Sequence, residues 1–180
     1  TTRWLAVFNL HGGSLRKRRA IGPLLDRLER RAPALDRLET RSDPAETRDL
    51  IRSRIGPDVE RVFVFGGDGV VGDACGVLAD SDIPLGVIPT GTTNVVAAEL
   101  GIPTNPGRAL MALASSTGTR RLRTWSASDR TLVLGASLGF DAEIMRNVNG
   151  ALKARIGYLA IVLAGFETLM RHEPPRLEIS

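Results

Sequence analysis

Through the first 114 residues, short apolar runs alternate with longer stretches in which apolar side chains recur every three to four positions. Trp4–Phe8, Leu35–Thr40, Val62–Phe65 and Leu85–Ile88 read as short strands. Between the first two, Leu15–Arg31 puts Ile21, Leu24, Leu25 and Leu28 on one helical face. Ser42-Asp43-Pro44 opens a second helix with Pro44 at its first position, and Leu50 and Ile51 turn to the core. Val71–Leu78, Val95–Leu100 and Pro106–Ala114 supply the remaining helical patterns. This βαβαβαβα order predicts an α/β domain, an open parallel sheet with helices on both faces.

Near Ser115–Thr119 the pattern changes. Arg121–Trp125 and Leu132–Ser137 read as an antiparallel hairpin turning at Ser126–Arg130. Gly139-Phe140-Asp141-Ala142-Glu143 follows, then helical sequence to about His172 and a strand from Arg176 to Ser180. Within that helical sequence Tyr158–Met170 is amphipathic with a wide apolar face, which fits core packing or, alternatively, a lipid-facing surface. The expected division is an α/β domain over residues 1–118 and the beginning of a β-rich domain over 119–180.

The strands run into turns whose composition is chemical rather than merely flexible. Val62–Phe65 ends at Gly66-Gly67-Asp68-Gly69, where absent Cβ atoms let successive N–H groups converge on an anion and let a phosphate approach closely. Asp68 is a single carboxylate inside that nest, suited to a metal ion, a hydroxyl, a nucleophile's proton or the cap of a helix. Leu85–Ile88 runs into Pro89-Thr90-Gly91-Thr92-Thr93-Asn94, whose last three residues are all good N-caps, so backbone donors and hydroxyls are expected to face outward there as well. Two such turns on neighbouring parallel strands would converge on one crevice, and polyphosphate is the ligand that fits them best. A third turn, Asn9-Leu10-His11-Gly12-Gly13-Ser14, follows the first strand, with Ser14 as a helix cap and His11 either a solvated side chain or a phosphate contact.

Composition narrows the options. The chain has 180 residues, 43% of them apolar, enough for one core or one and part of another. Its single cysteine, Cys75, excludes an internal disulfide and fits a reducing compartment. Ile156–Phe166, the longest apolar run, is shorter than the roughly 20 residues a bilayer span needs. A net charge of +4 with many arginines between Arg16 and Arg61 fits solvated helix faces or attraction to anionic lipid headgroups. With aromatics at 4% and no base-reading motif, nucleic acid is not the expected partner.

Five blocks in this order resemble the diacylglycerol kinase catalytic family, which includes soluble bacterial lipid kinases, sphingosine kinases and ceramide kinases. Asn9 with Gly13 is similar to its opening Asn-Pro-x-Ser-Gly turn, Gly66–Gly69 to its Gly-Gly-Asp-Gly-Thr, and Pro89–Asn94 to its Pro-Leu-Gly-Thr-Gly-Asn. Gly139–Glu143 is similar to its Gly-Phe-Asp-Ala-Glu segment, and Gly157-Tyr158-Leu159 lies in a long helix before a Pro-Pro strand. The resemblance implies an ATP-dependent, Mg²⁺-using kinase of lipid hydroxyls, diacylglycerol or a similar alcohol. Its cleft would lie between an α/β domain of the NAD kinase/diacylglycerol kinase type and a β-sandwich domain. By motif position, Asn9, Thr40, Gly66, Gly67, Gly69, Gly91, Thr92 and Asn94 would hold the nucleotide. Asp68 and Asp141 would act at the reacting groups or the metal. The implied setting is cytoplasmic, at or near the inner face of the membrane, with a lipid acceptor and peripheral membrane contact; a homodimer is compatible with it.

The departures from the family pattern are specific. Leu10 stands where the family has Pro, Val70 where it has the Thr hydroxyl, Gly72-Asp73 where it has Asn-Glu, and Thr93 where it has Gly. The family's late Asp-Gly-Glu carboxylate would lie beyond Ser180, so the 180 residues alone are expected to be nearly inactive. Two alternatives stay open: an NAD kinase-like phosphotransferase, and a nucleotide- or lipid-binding module without catalysis.

Overall fold

A computed structural model describes residues 1–10, 15–127 and 130–133. Asp141, Glu143, the helical sequence to His172, the strand from Arg176, and the turn residues His11, Gly13 and Ser14 lie outside the described residues. Thr1–Leu134 forms one compact unit. Its elements are β1 (Arg3–Phe8), α1 (Leu15–Glu29), β2 (Leu35–Glu39), α2 (Pro44–Arg54), β3 (Val59–Gly66), α3 (Asp68–Leu78), β4 (Leu85–Pro89), α4 (Val95–Glu99), α5 (Pro106–Ala114), β5 (Trp125–Ala127) and β6 (Arg130–Leu132).

The first four strands make a parallel sheet in the order β2-β1-β3-β4. Leu5 lies opposite Val62, Val7 opposite Val64 and Phe8 opposite Phe65, which puts side chains of like direction in rows across the sheet. Because successive strand residues point to opposite faces, the sheet separates two apolar layers. Leu5, Val7, Val62, Val64 and Val87 pack with Ile51, Val71, Ala74, Leu78, Val96 and Ala97 of α2, α3 and α4. Trp4, Ala6, Phe63, Phe65 and Ile88 pack with Ile21, Leu24, Leu25, Leu28, Ala109 and Leu110 of α1 and α5. The result is three layers with β1 and β3 buried at the centre.

Several boundaries differ from those the pattern suggests. β3 begins at Val59, before the apolar run, because polar residues are accommodated at its entry. There the Arg61 guanidinium lies 5.3 Å from the Trp4 ring centre and donates to the Ser116 carbonyl at 2.8 Å. α3 begins at Asp68, three residues ahead of the expected start at Val71, since Gly67 takes the N-cap role. The hairpin is present and antiparallel, but it pairs Trp125 with Leu132, Ser126 with Thr131 and Ala127 with Arg130. Trp125 and Leu132 are strand residues as expected, while Ser126, Ala127 and Arg130, expected in the turn, also lie in the ladder, because residues with a loop's polarity are paired there through their backbones. Residues 121–124, expected as strand, carry no ladder.

At the N-terminal edge of the sheet an ion network holds the entries of β1, β2 and β3 together. Arg3 donates to Asp58 at 2.7 Å, to Asp36 at 3.0 Å and to the Arg54 carbonyl at 2.7 Å, while Arg54 reaches Asp36 at 2.6 Å. The hydrogen bond from Arg3 holds the Asp58 carboxyl below its ordinary value of 3.8. A carboxyl with a depressed folded-state pKa stabilises the fold above its unfolded value, and that contribution disappears as pH falls through the folded value. We therefore expect Asp58→Asn to be less stable than the unsubstituted chain at pH 7, with the difference closing as pH drops below about 4. Denaturant unfolding measured at stepped pH checks this, and a gap that persists undiminished to strongly acid pH would contradict it.

Candidate functional site

The sheet reverses its direction of growth between β1 and β3. From β1 the chain goes to β2 on one side, and the next strand, β3, lies on the other, with α1 on one face and α2 and α3 on the opposite face. In an open parallel sheet such a switch leaves a crevice at the strands' C-terminal ends. Here the ends are laced to one another. Thr40 N–H donates to the Phe8 carbonyl (2.9 Å), Asn9 N–H to the Phe65 carbonyl (3.1 Å), and Thr90 and Gly91 N–H both to the Gly66 carbonyl (3.2 Å each). Thr40, Asn9, Gly66 and Gly91, picked out in the sequence at four separate strand ends, therefore stand side by side along one edge.

The two glycine turns touch through their backbones. A Cβ at Gly67 would lie 3.2 Å from the Gly91 Cα, and one at Gly91 would strike the Gly67 backbone and come within 2.8 Å of Asn94 Oδ1. A side chain at Gly67 would be pressed and one at Gly91 would not fit, which is the physical content of glycine here. Asn94 holds the second turn from the other end. It adopts a left-handed backbone at φ 54° and ψ 48°, a region that Asn enters more readily than most residues, and its Nδ2 donates to the Gly91 carbonyl at 2.9 Å.

Asp68 does not cap its own helix. It is the first residue of α3, and its carboxylate reaches across to α4, where Oδ1 accepts from Val96 N–H and Oδ2 from the Thr93 hydroxyl, each at 3.0 Å. The expectation that Thr92, Thr93 and Asn94 would turn free helix donors outward is therefore corrected in detail. Asn94 occupies the N-cap position of α4 without a side-chain cap bond, and the exposed-end role is filled by the carboxylate of the other turn. Conversely, α3 has Gly67 at its N-cap and no side-chain cap, and its first helical bond is Val71 N–H to the Gly67 carbonyl. The Asp68, Gly69 and Val70 N–H groups precede that bond, so the first turn is the one that offers donors to an anion. Gly69 is exposed, with nothing within 4 Å of where its Cβ would be.

Two buried polar atoms at this edge lack a partner. The Thr40 hydroxyl, on a residue 2% exposed, and Asn94 Oδ1 are both without a hydrogen bond. Buried polar groups normally find partners, so both atoms are departures from the usual pattern. The resemblance had placed both residues near the nucleotide. Thr92 is half-buried on the same turn as Asn94.

The departures from the family pattern each have a visible setting. Val70 is half-buried, packs against the α2–α3 layer and lies over Gly66, whose Cβ would be 3.0 Å from Val70 Cβ. Gly72 and Gly76 form a seam on α3 that seats the hairpin: a Cβ at Gly72 would be 3.5 Å from the Thr131 carbonyl, and one at Gly76 2.5 Å from Thr131 Oγ1. Asp73 pairs with Arg48 of α2 at 3.1 Å, both largely shielded from solvent. Sequence reasoning missed Arg48; only its position on the inner side of α2 could have marked it. Cys75 on the same helix is pushed up to about 11 by burial, which keeps it a thiol at neutral pH.

Among the described residues no cluster of three potential ligands could hold a metal ion. Asp68 alone fits a different kind of site. Each of its oxygens accepts one hydrogen bond and keeps lone-pair capacity, and Mg²⁺ is commonly held by one or two carboxylates together with substrate phosphates. Among the described residues no helix is long and apolar enough to cross a membrane.

An α/β domain whose two glycine turns meet at the switch point of its parallel sheet is the class that fold and site define. A family model described as the diacylglycerol kinase catalytic domain matches residues 3–124. The chain is 33% identical over 129 residues to a diacylglycerol kinase of Mycobacterium tuberculosis, covering 66% of this chain and 42% of that protein. It is 31% identical over 124 residues to a diacylglycerol kinase of Bacillus subtilis, covering 68% and 41%. A diacylglycerol kinase crystal structure from Bacillus anthracis superposes with a TM-score of 0.57 at 25% identity, over 73% of this chain and 46% of that one. The chain belongs to the diacylglycerol kinase catalytic family, and it spans less than half the length of these relatives.

The geometry separates two glycines of the site. Gly91→Ala should cost about 1–3 kcal/mol, because its methyl would push the two turns apart, whereas Gly69→Ala should leave unfolding within about 1 kcal/mol of the unsubstituted chain. Thermal and denaturant unfolding of the two variants checks this. Equal stability of both would mean that the turns do not meet as described.

Proposed function

We propose that this chain is the nucleotide-binding part of a lipid kinase that transfers the γ-phosphate of ATP to the hydroxyl of diacylglycerol or a similar lipid alcohol. The observation that carries the reading is the meeting of the two glycine turns through Gly67 and Gly91, beside the uncapped N-terminus of α3. The named activity of the relatives supports it, since they are diacylglycerol kinases.

Phosphoryl transfer asks a protein mainly to place the reacting oxygens in line and to neutralise charge. In this reading the N–H groups of Asp68, Gly69 and Val70 receive phosphate oxygens, and Gly66, Gly67, Gly91 and Thr92 let the chain of phosphates lie close to backbone. Asn94 holds the second turn beside the phosphates, and Asn9 and Thr40 lie near the rest of the nucleotide on the same edge. Asp68 brings negative charge next to the triphosphate, an arrangement that is stable with a cation between them. Mg²⁺ held by Asp68 and the phosphates would neutralise charge on the transferred group. Asp141 is proposed to face the acceptor.

The lipid acceptor implies work at a membrane surface, and a cytoplasmic, peripherally attached protein follows from that reading. The rest of the acceptor site is proposed to require sequence beyond these 180 residues.

The test is a labelled-ATP transfer assay with mixed micelles of diacylglycerol, sphingosine and phosphatidylglycerol, run on this chain and on a protein of the relatives' full length. The long form should label one lipid, with Asp68→Asn reducing the rate by at least about 100-fold, and the 180-residue chain should bind nucleotide without turnover. Phosphorylation of a soluble acceptor such as NAD, with no need for micelles, would replace this reading with the NAD kinase-like one. Nucleotide binding with no transfer by the long form to any acceptor would make it a non-catalytic module.

A further inference from the structure

Thr93 stands where the family pattern has Gly, and its hydroxyl is engaged in the space between the turns. It donates to Asp68 Oδ2 at 3.0 Å while Val96 N–H holds Oδ1 at the same distance. A hydroxyl has one proton, so while it is given to the carboxylate Thr93 is not a phosphate donor. It does not replace the hydroxyl lost at Val70, which packs into the α2–α3 layer instead.

We propose that Thr93 is a positioning residue for Asp68: its hydroxyl fixes the carboxylate across the gap between the turns, sets their separation, and thereby sets affinity for nucleotide phosphates. The inference rests on the phosphate-site reading above. With one oxygen held by Val96 alone, the carboxylate would be free to turn about the bond between Cβ and the carboxyl carbon. Held at both oxygens, it keeps the α4 end of the second turn seated against the first, where Gly67 and Gly91 leave no slack. Charge-assisted hydrogen bonds are the stronger kind, so one hydroxyl is enough to matter. Thr93 itself is exposed, and its removal takes no apolar contact from the core.

The experiment compares Thr93→Val, which keeps the shape and removes the hydroxyl, with Thr93→Ser, which restores it. Two quantities are read on the 180-residue chain: hydrogen-exchange protection of the Val96 amide without ligand, and the Kd for Mg-ATP, with thermal unfolding as a control. Expected are a loss of Val96 protection and a Kd weakened by roughly tenfold in Thr93→Val, recovery of both to within about twofold in Thr93→Ser, and unfolding temperatures little changed in either. A purely structural role would lower the unfolding temperature and leave the Kd alone, which would overturn the proposal, as would Val96 protection and Kd both unchanged in Thr93→Val. If the unsubstituted chain binds no Mg-ATP while Val96 protection still follows the hydroxyl, the phosphate-site reading fails and the part of the proposal that concerns Asp68 stands.

Discussion

The site depends on one carboxylate that bonds away from its own helix. Asp68 begins α3, yet both of its oxygens are held by α4 and the turn before it. An aspartate at a helix start ordinarily satisfies that helix's own N–H groups and complements its dipole. Sent elsewhere, it leaves the α3 donors available to an external anion and closes the α4 end. The same bonds span the two glycine turns, which meet backbone to backbone at Gly67 and Gly91.

That contact is useful only because the sheet delivers the turns to the same place. The order β2-β1-β3-β4 puts the reversal between β1 and β3, and the strand ends are joined there by main-chain hydrogen bonds from Thr40, Asn9, Thr90 and Gly91. The opposite edge is fastened by the Arg3, Asp36, Arg54 and Asp58 network. One end of the sheet is thus closed by side-chain charge pairs, and the other is left to main-chain groups that can accept a ligand.

Much of this was legible in the residues. Alternating apolar strands and amphipathic helices carried the α/β class, and Pro44 and Asp43 marked the start of α2 correctly, with Asp43 accepting from Ala45 N–H at 2.8 Å. The turn residues were recognisable because glycine beside Asp, Thr and Asn at a strand end has few other physical uses. Partnership was not legible. Nothing local says that Asp68 would cap α4 rather than α3, that Thr93 would bond to it, or that Arg48 would meet Asp73, since each pairing spans 25 residues or more and is decided by the packing of helices. The hairpin was found in kind but its turn was drawn too wide, because Ser126 and Arg130 carry a loop's polarity in a strand's position.

The two glycine turns are proposed to form one phosphate-accepting crevice. The most direct test of this is an amide NMR titration of the chain with a non-hydrolysable Mg-ATP analogue. The account requires the Gly67–Val70 and Gly91–Asn94 amides to shift together, with a single midpoint, and the Asn9 and Thr40 amides to follow. Shifts confined to one turn, or centred on the outer surface of α2 while both turns stay unperturbed, would contradict it.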